Sequence, residues 1–222
     1  MHKALNRFEC MARKASRNHS KTCWGLKCDI RKFFASVDHF ALVKLLEERI
    51  TDKQLLGLLC EIIGSFSVFP CKGIPLGNLT SQLFANIYMH SFDQFVKHRL
   101  RASHYIRYAD DFVLLSPDRN KLKHRLAQMQ DFLSEELDLE IHPDKVFIKT
   151  FASGVDFLGW VHFPRHRVLR TKTEKRMMKR MVEKPGEAVL QSYLGLLENG
   201  SGHRLQQGIQ HNHWLFTPNE RF

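Results

Sequence analysis

Two short apolar runs, Tyr105–Tyr108 and Phe112–Leu115, are separated only by Ala109-Asp110-Asp111. Runs this short and rich in β-formers, with so brief a break, predict a tight antiparallel hairpin, although its turn lacks the usual glycine. Adjacent acids at the tip point one carboxylate toward each face. They repel one another, so keeping both ionised there is costly unless a cation compensates. Another apolar run, Cys23–Ile30 (CWGLKCDI), reads as a short buried strand with Asp29 near its end. If the two strands are neighbours, Asp29 and Asp110 meet at one edge. Hard oxygen donors of this kind suit Mg²⁺, with Mn²⁺ an alternative. Two such ions, roughly 3.5–4 Å apart, activate an attacking hydroxyl and stabilise a leaving phosphate oxygen.

The rest of the chain supplies helices to cover such a sheet. Residues 3–20 read as a basic amphipathic helix. Asp38 caps a helix through about Arg49, and Thr51 caps another through about Ile63. The Pro- and Gly-rich stretch 69–79 (FPCKGIPLGNL) forms a loop. A long helix is expected from about Thr80 to Leu100, with Leu83, Phe84, Ile87, Phe92, Phe95, Val96 and Leu100 on one face. Asp118 caps a further helix whose apolar face is Leu122, Leu126, Met129, Phe132, Leu133 and Leu137. Strand-like runs follow at 145–151, 155–163 and 167–170. A basic helix covers about 171–183, Pro185-Gly186 breaks it, and a last helix runs near Glu187–Leu197. The order predicts an α+β fold, an antiparallel sheet with helices packed on one face.

Charge is unevenly placed along the 222 residues, whose formal net charge is +11. Residues 1–27 hold seven Lys/Arg and one Glu; residues 165–184 hold nine Lys/Arg and two Glu. The centre, 28–164, has 16 basic and 17 acidic residues. A near-neutral body between two basic segments points to a polyanion partner such as nucleic acid. Five cysteines, an odd count with no CxxC pair, argue against a disulfide framework or a zinc site and for reduced thiols in the cytoplasm. No apolar run approaches the roughly 18 residues of a membrane span, and the basic, polar start does not read as a signal peptide. His211-Asn212-His213 lacks a Cys or acidic partner and reads as solvated surface rather than a metal site.

Six blocks in order resemble the palm of a reverse transcriptase. CDIRKFFASVDH (Cys28–His39) resembles the first catalytic motif, GIPLGNLTSQLFANIYMHSFDQF (Gly73–Phe95) the substrate-side loop and helix, and YIRYADDFVLLS (Tyr105–Ser116) carries the YADD box. HPDKV (His142–Val146) resembles the later lysine motif, FLGW (Phe157–Trp160) the primer-grip hairpin, and SYLGLL (Ser192–Leu197) the start of the thumb. The resemblance implies a right-hand polymerase palm that adds deoxynucleoside triphosphates to a DNA primer on template RNA, using two Mg²⁺ ions. It implies that Asp29, Asp110 and Asp111 are the catalytic acids and, with the Ile30 backbone carbonyl, the metal ligands. Phe34 would be the gate that excludes a 2′-OH, with Phe33 in the core. Lys145 would protonate the departing pyrophosphate. Leu76, Gly77 and Gln82 would lie at the nucleotide, Tyr108 and Ala109 at the primer end, and Gly159 and Trp160 on the primer backbone. Lys172, Lys175, Arg176 and Lys179 would hold duplex phosphates. The segments implied are 1–27 for a remnant of the fingers, 28–164 for the palm with primer grip, and 165–222 for the start of a thumb, with most of the fingers missing and the thumb cut short.

Within the family, Leu76 stands where Gln is common and Gln82 where Pro is common. The LGNLTSQ pattern resembles the enzymes of diversity-generating retroelements, which copy a template RNA into cDNA with errors opposite adenine and work with a small basic accessory protein. Losing a polar contact at residue 76 would weaken the check on correct pairing. Alternatives are a group II intron or retron-type enzyme, and an inactive nucleic-acid-binding module.

Overall fold

A computed structural model describes residues 2–184, 186–198, 200, 201, 205–207 and 209. Pro185 and the His211–His213 pair lie outside the described residues. In chain order the elements are α1 (His2–Ala15), β1 (Trp24–Asp29), α2 (Phe33–Ser36), α3 (His39–Glu47), α4 (Lys53–Gly64), α5 (Leu79–Tyr88) and α6 (His90–Gln94). A π-helical turn (Phe95–Arg99) leads to β2 (Tyr105–Tyr108), β3 (Asp111–Ser116) and α7 (Arg119–Leu137). Then come β4 (Phe147–Thr150), β5 (Val155–Phe157), β6 (Trp160–His162), β7 (Arg167–Leu169), α8 (Thr171–Glu183) and α9 (Glu187–Leu197). Packing divides the chain into two units, Cys23–Ile148 and Met1–Thr22 with Lys149–Phe222.

The first unit is built on a sheet of order β2-β3-β1-β4, in which β1 and β2 both run antiparallel to β3. Strand alternation sends Leu26, Cys28, Phe112 and Leu114 to one face, where they are fully buried. They form one core with Phe84, Tyr88 and Phe92 and with Leu122, Met129 and Leu133 of α7. The Tyr88 hydroxyl donates to the Leu137 carbonyl at 2.7 Å, tying α5 to the end of α7. The α+β layering expected from the sequence is therefore the one found.

Four local expectations are corrected. The first helix stops at Ala15, not residue 20, because Arg17, Asn18 and His19 all adopt left-handed φ. The Ser16 hydroxyl donates back to Ala12 O at 2.7 Å and competes with continuing the helix. Asp52, not Thr51, caps α4: its carboxylate accepts from Gln54 N and Leu55 N at 2.9 and 3.2 Å. The helix expected over 80–100 is interrupted at Met89 (ψ 0°) and ends in the π turn. Buried residues at 84, 88, 92 and 96 overshoot a straight helix by about 40° per step, so one unbroken helix would carry them off the core, and the break at Met89 falls within the series. The apolar run 155–163 is two strands, joined by Leu158 and Gly159 at φ 53° and 81°.

The second unit holds the meander β5-β6-β7. Phe8 of α1 stacks on Phe157 at 5.5 Å and lies 4.4 Å from the His162 ring. Trp160 and Phe157 are completely buried, and Gly200 sits so close that a Cβ there would meet Trp160 Cζ3 at 2.2 Å. On α8, Met177 faces inward while Lys172, Lys175, Arg176 and Lys179 are exposed. All five cysteines are free thiols.

Candidate active site

The register of β1 on β3 sets Asp29 directly opposite Asp111 and Cys28 opposite Phe112. Because Cys28 and Phe112 point into the core, Lys27, Asp29 and Asp111 share the other face. Tyr108 pairs with Asp111, so Ala109 and Asp110 form a two-residue loop. No glycine supplies the positive φ that such a loop requires, and Ala109 takes it at φ 54°. The Asp110 carbonyl accepts from Ile30 N at 3.2 Å, tying the turn to the end of β1. Two strand ends and one turn thus bring all three predicted acids and Ile30 together.

Two lysines balance those acids. Lys27 Nζ lies 2.9 Å from Asp111 Oδ2, its side chain only 11% exposed. Lys145 Nζ lies 2.8 Å from Asp29 Oδ1. Lys145 ends a 3₁₀ turn (Pro143–Lys145), and His142 N donates to Asp29 O at 2.8 Å, so the lysine motif is docked on the first motif by backbone. Burial, then the charge of Asp29, pushes the Asp110 carboxyl up from its ordinary value, while Lys145 and Lys27 pull it down.

Sequence reading missed the support behind the turn. Arg107 Nε and Nη2 lie 2.9 and 2.8 Å from the two oxygens of Asp93, and Nη1 donates to Ala109 O at 2.9 Å. The Tyr105 hydroxyl donates to Asp93 Oδ1 at 2.6 Å. Burial raises the Asp93 carboxyl, but Arg107 and Tyr105 outweigh it and hold the group below its usual range. The signal was present: Lys27 and Arg107 are lone cations inside apolar strands, and a buried charge needs a partner.

Of the residues predicted at the nucleotide, Phe34 is half-buried, edge-on to fully packed Phe33 at 5.3 Å, and its carbonyl accepts from Ile74 N at 2.7 Å. Leu76 is 77% exposed, next to Gly77 at φ 95°. Gln82 is exposed in the first turns of α5, and Tyr108 is exposed at the hairpin tip. Gly159, Trp160, Lys172, Lys175, Arg176 and Lys179 belong to the other unit. There Gly159 is half-buried and Trp160 is core.

The donor set matches a hard divalent ion in kind: oxygen ligands only, with burial and, after it, the charge of Asp29 raising the Asp110 carboxyl. Among the described residues no three Asp, Glu, His or Cys side chains already converge as a metal cluster. Asp29 and Asp111 are instead turned onto their lysines.

Residues 1–162 match the family model described as reverse transcriptase (RNA-dependent DNA polymerase). This chain belongs to the reverse transcriptase family. Among curated relatives, the putative COX1/OXI3 intron 2 protein of Saccharomyces cerevisiae is 24% identical, over 65% of this chain and 24% of its own length. Protein YkfC of Escherichia coli is 25% identical, over 68% of this chain and 48% of its own. The group II intron-encoded protein LtrA of Lactococcus lactis subsp. cremoris is 22% identical, over 69% and 36%. This reverse transcriptase chain thus spans between about a quarter and a half of those relatives. Its fold resembles telomerase from Candida albicans, with TM-score 0.58 and 15% identity over 96% of this chain and 43% of that one. Apo telomerase from Candida tropicalis gives TM-score 0.56 at 11% identity, over 72% and 38%.

Proposed function

We propose that this chain performs RNA-templated DNA synthesis. The primer 3′-oxygen attacks the α-phosphorus of a deoxynucleoside triphosphate, and the bond to pyrophosphate breaks. The observation that carries this reading is the Asp29–Asp111 register with Asp110 in the adjoining turn. Mg²⁺ held by Asp29, Asp110, Asp111 and the Ile30 carbonyl would supply charge neutralisation and lower the pKa of the attacking hydroxyl. Lys145, already beside Asp29, hands a proton to the departing pyrophosphate. The Phe34 ring bars a ribose 2′-OH, and Gly77 lets backbone approach the nucleotide. Tyr108 and Ala109 flank the primer end, and the Leu158-Gly159 turn, backed by Trp160, lies along the primer. Lys172, Lys175, Arg176 and Lys179 hold duplex phosphates. In this reading 1–27 belongs to the fingers side, 28–164 is the palm with primer grip and 165–222 belongs to the thumb side, working in the cytoplasm; among the described residues no helix is long and apolar enough to cross a membrane. Primer extension on an RNA template with Mg²⁺ tests it: incorporation abolished by Asp110→Ala supports the reading, and RNA binding without incorporation overturns it.

Within the family we read the exposed Leu76 and Gln82 as the marks of an error-prone, retroelement-type enzyme that works with an accessory protein. A second reading, an intron-encoded enzyme, draws on the intron-encoded relatives. Misincorporation opposite template adenine separates them. A high error rate that Leu76→Gln lowers supports the first, and equal fidelity opposite all four bases supports the second.

A further inference from the structure

The near-neutral central sequence hides a strong local concentration of charge. The segments 97–101 (KHRLR) and 118–125 (DRNKLKHR) lie 16 residues apart and hold seven Lys/Arg and one Asp. The fold joins them. Arg125, only 7% exposed, donates from Nη2 to the carbonyls of Leu100 and Arg101 at 2.8 and 2.9 Å. That pins the end of the π turn to the first turns of α7. Around this joint Arg99, Arg101, Arg119, Lys121 and Lys123 are all exposed, and none forms an ion pair among the described residues. Arg119 also lies over the Trp24 ring, 5.0 Å from its centre, which brings the start of β1 to the same place.

Two observations say that this charge serves something outside the fold. First, past its Asp118 cap, α7 is polarised against its own dipole. Asp118 accepts from Asn120 N and Lys121 N, but the following turns carry Arg119, Lys121, Lys123 and Arg125, while Asp131, Glu135 and Glu136 crowd the other half with no base in the last turn. A helix macrodipole favours the reverse placement, so these cations weaken the helix locally. Second, the surface offers nothing apolar to a protein or a membrane. The large exposed hydrophobic side chains belong to other segments: 40, 55–83, 108, 147 and 182. An arginine-bearing surface whose five cations form no ion pair among the described residues fits phosphate groups.

The location separates it from the acids. β3 runs from Asp111 at the hairpin tip to Ser116, next to the joint. That is roughly 17 Å at 3.3 Å per residue. We infer that Arg99, Arg101, Arg119, Lys121 and Lys123 form a second nucleic-acid surface, at the far end of the central strands from the acidic turn, that holds the phosphate backbone of RNA outside the segment being copied. Only the choice of partner rests on the polymerase reading.

The test uses the full chain and its Arg101→Gln/Arg119→Gln/Lys121→Gln/Lys123→Gln variant. Binding of a long structured RNA is measured against salt concentration, alongside extension of a short template–primer. Four lost phosphate contacts should flatten the slope of log K against log salt by about 3 and weaken binding at least tenfold, with extension of the short substrate unchanged. The melting temperature should change little, since the charges lost from α7 oppose the helix dipole while Arg119→Gln gives up the contact with Trp24. If the quadruple variant does not fold, Lys121→Gln/Lys123→Gln is read the same way, with a change of about 1.5 in slope. An unchanged slope overturns the inference, as does loss of binding to anionic vesicles with RNA binding intact. Asp110→Ala leaves the slope alone in either case, so failure of the polymerase reading is seen in extension and failure of this one in salt dependence.

Discussion

Arg107 and Asp93 meet through two parallel hydrogen bonds, 2.9 and 2.8 Å long, and the remaining guanidinium nitrogen holds the carbonyl of Ala109. Asp93 comes from α6 and Arg107 from β2, so a helix beneath the sheet fixes the strained residue that aims Asp110. Lysine cannot reproduce a planar fork. Arg107→Lys should lower kcat by about 100-fold with KM for the nucleotide little changed, because geometry and not binding is lost. Asp93→Ala strands a buried cation and should cost about 3–5 kcal/mol in urea unfolding. A Lys variant with full turnover would leave Arg107 a purely structural residue.

Lys145 sits where a cation is needed beside Asp29. With Lys145 as the proposed proton donor, Lys145→Gln should slow incorporation by about 10²–10⁴-fold. It should also lower the Mg²⁺ concentration giving half-maximal rate, because Asp29 no longer shares its charge with an ammonium group. Steady-state rates across a Mg²⁺ series check both effects, which would move in opposite directions.

Phe34 meets the buried Phe33 edge-on. On the proposed reading, Phe34→Ala removes the ring beside the sugar and leaves Phe33 in place. Discrimination between deoxy- and ribonucleotides should fall by about 10–100-fold, measured as the ratio of kcat/KM values. Phe33→Ala should instead destabilise the fold by about 3–5 kcal/mol.

His162 is buried against Phe8 and Arg167. Burial, then the charge of Arg167, pushes its imidazole down to about 4, against 6.5 for a free histidine. A depressed folded pKa means that the unfolded chain binds the proton first. Stability from this group is therefore complete above pH 6.5 and lost as pH falls toward 4, by up to about 3 kcal/mol. Urea midpoints across that interval should show the slope, and His162→Phe should flatten it. An identical slope in the variant would assign the acid sensitivity to other groups.

Much of this organisation was legible in the chain. Short apolar runs beside Asp29 and Asp110-Asp111 announced strands that carry acids at their ends, and Asp38 and Asp118 marked the starts of α3 and α7. Caps and apolar runs are local, so a window of a few residues contains the whole cause. What failed was also local in appearance but global in cause. The helix over 80–100 breaks at Met89 because four buried positions must meet one core, which no window reveals. Asp93 reads as a surface acid on an apolar helix until β2 brings Arg107 against it.

The sequence by itself determined the chemistry at hand: three carboxylates, a lysine after a proline turn, an aromatic beside the first acid, and cations in blocks. Those are side-chain identities at short spacings. Only the tertiary structure decided which of them meet. The β1–β3 register joins Asp29 to Asp111 across 82 residues, the Arg107 fork sets the turn, and Arg125 gathers two basic segments into one surface. Each is a pairing between distant segments, fixed by burying apolar faces and by the need of every buried charge for a partner, and neither condition is written in any one stretch of chain.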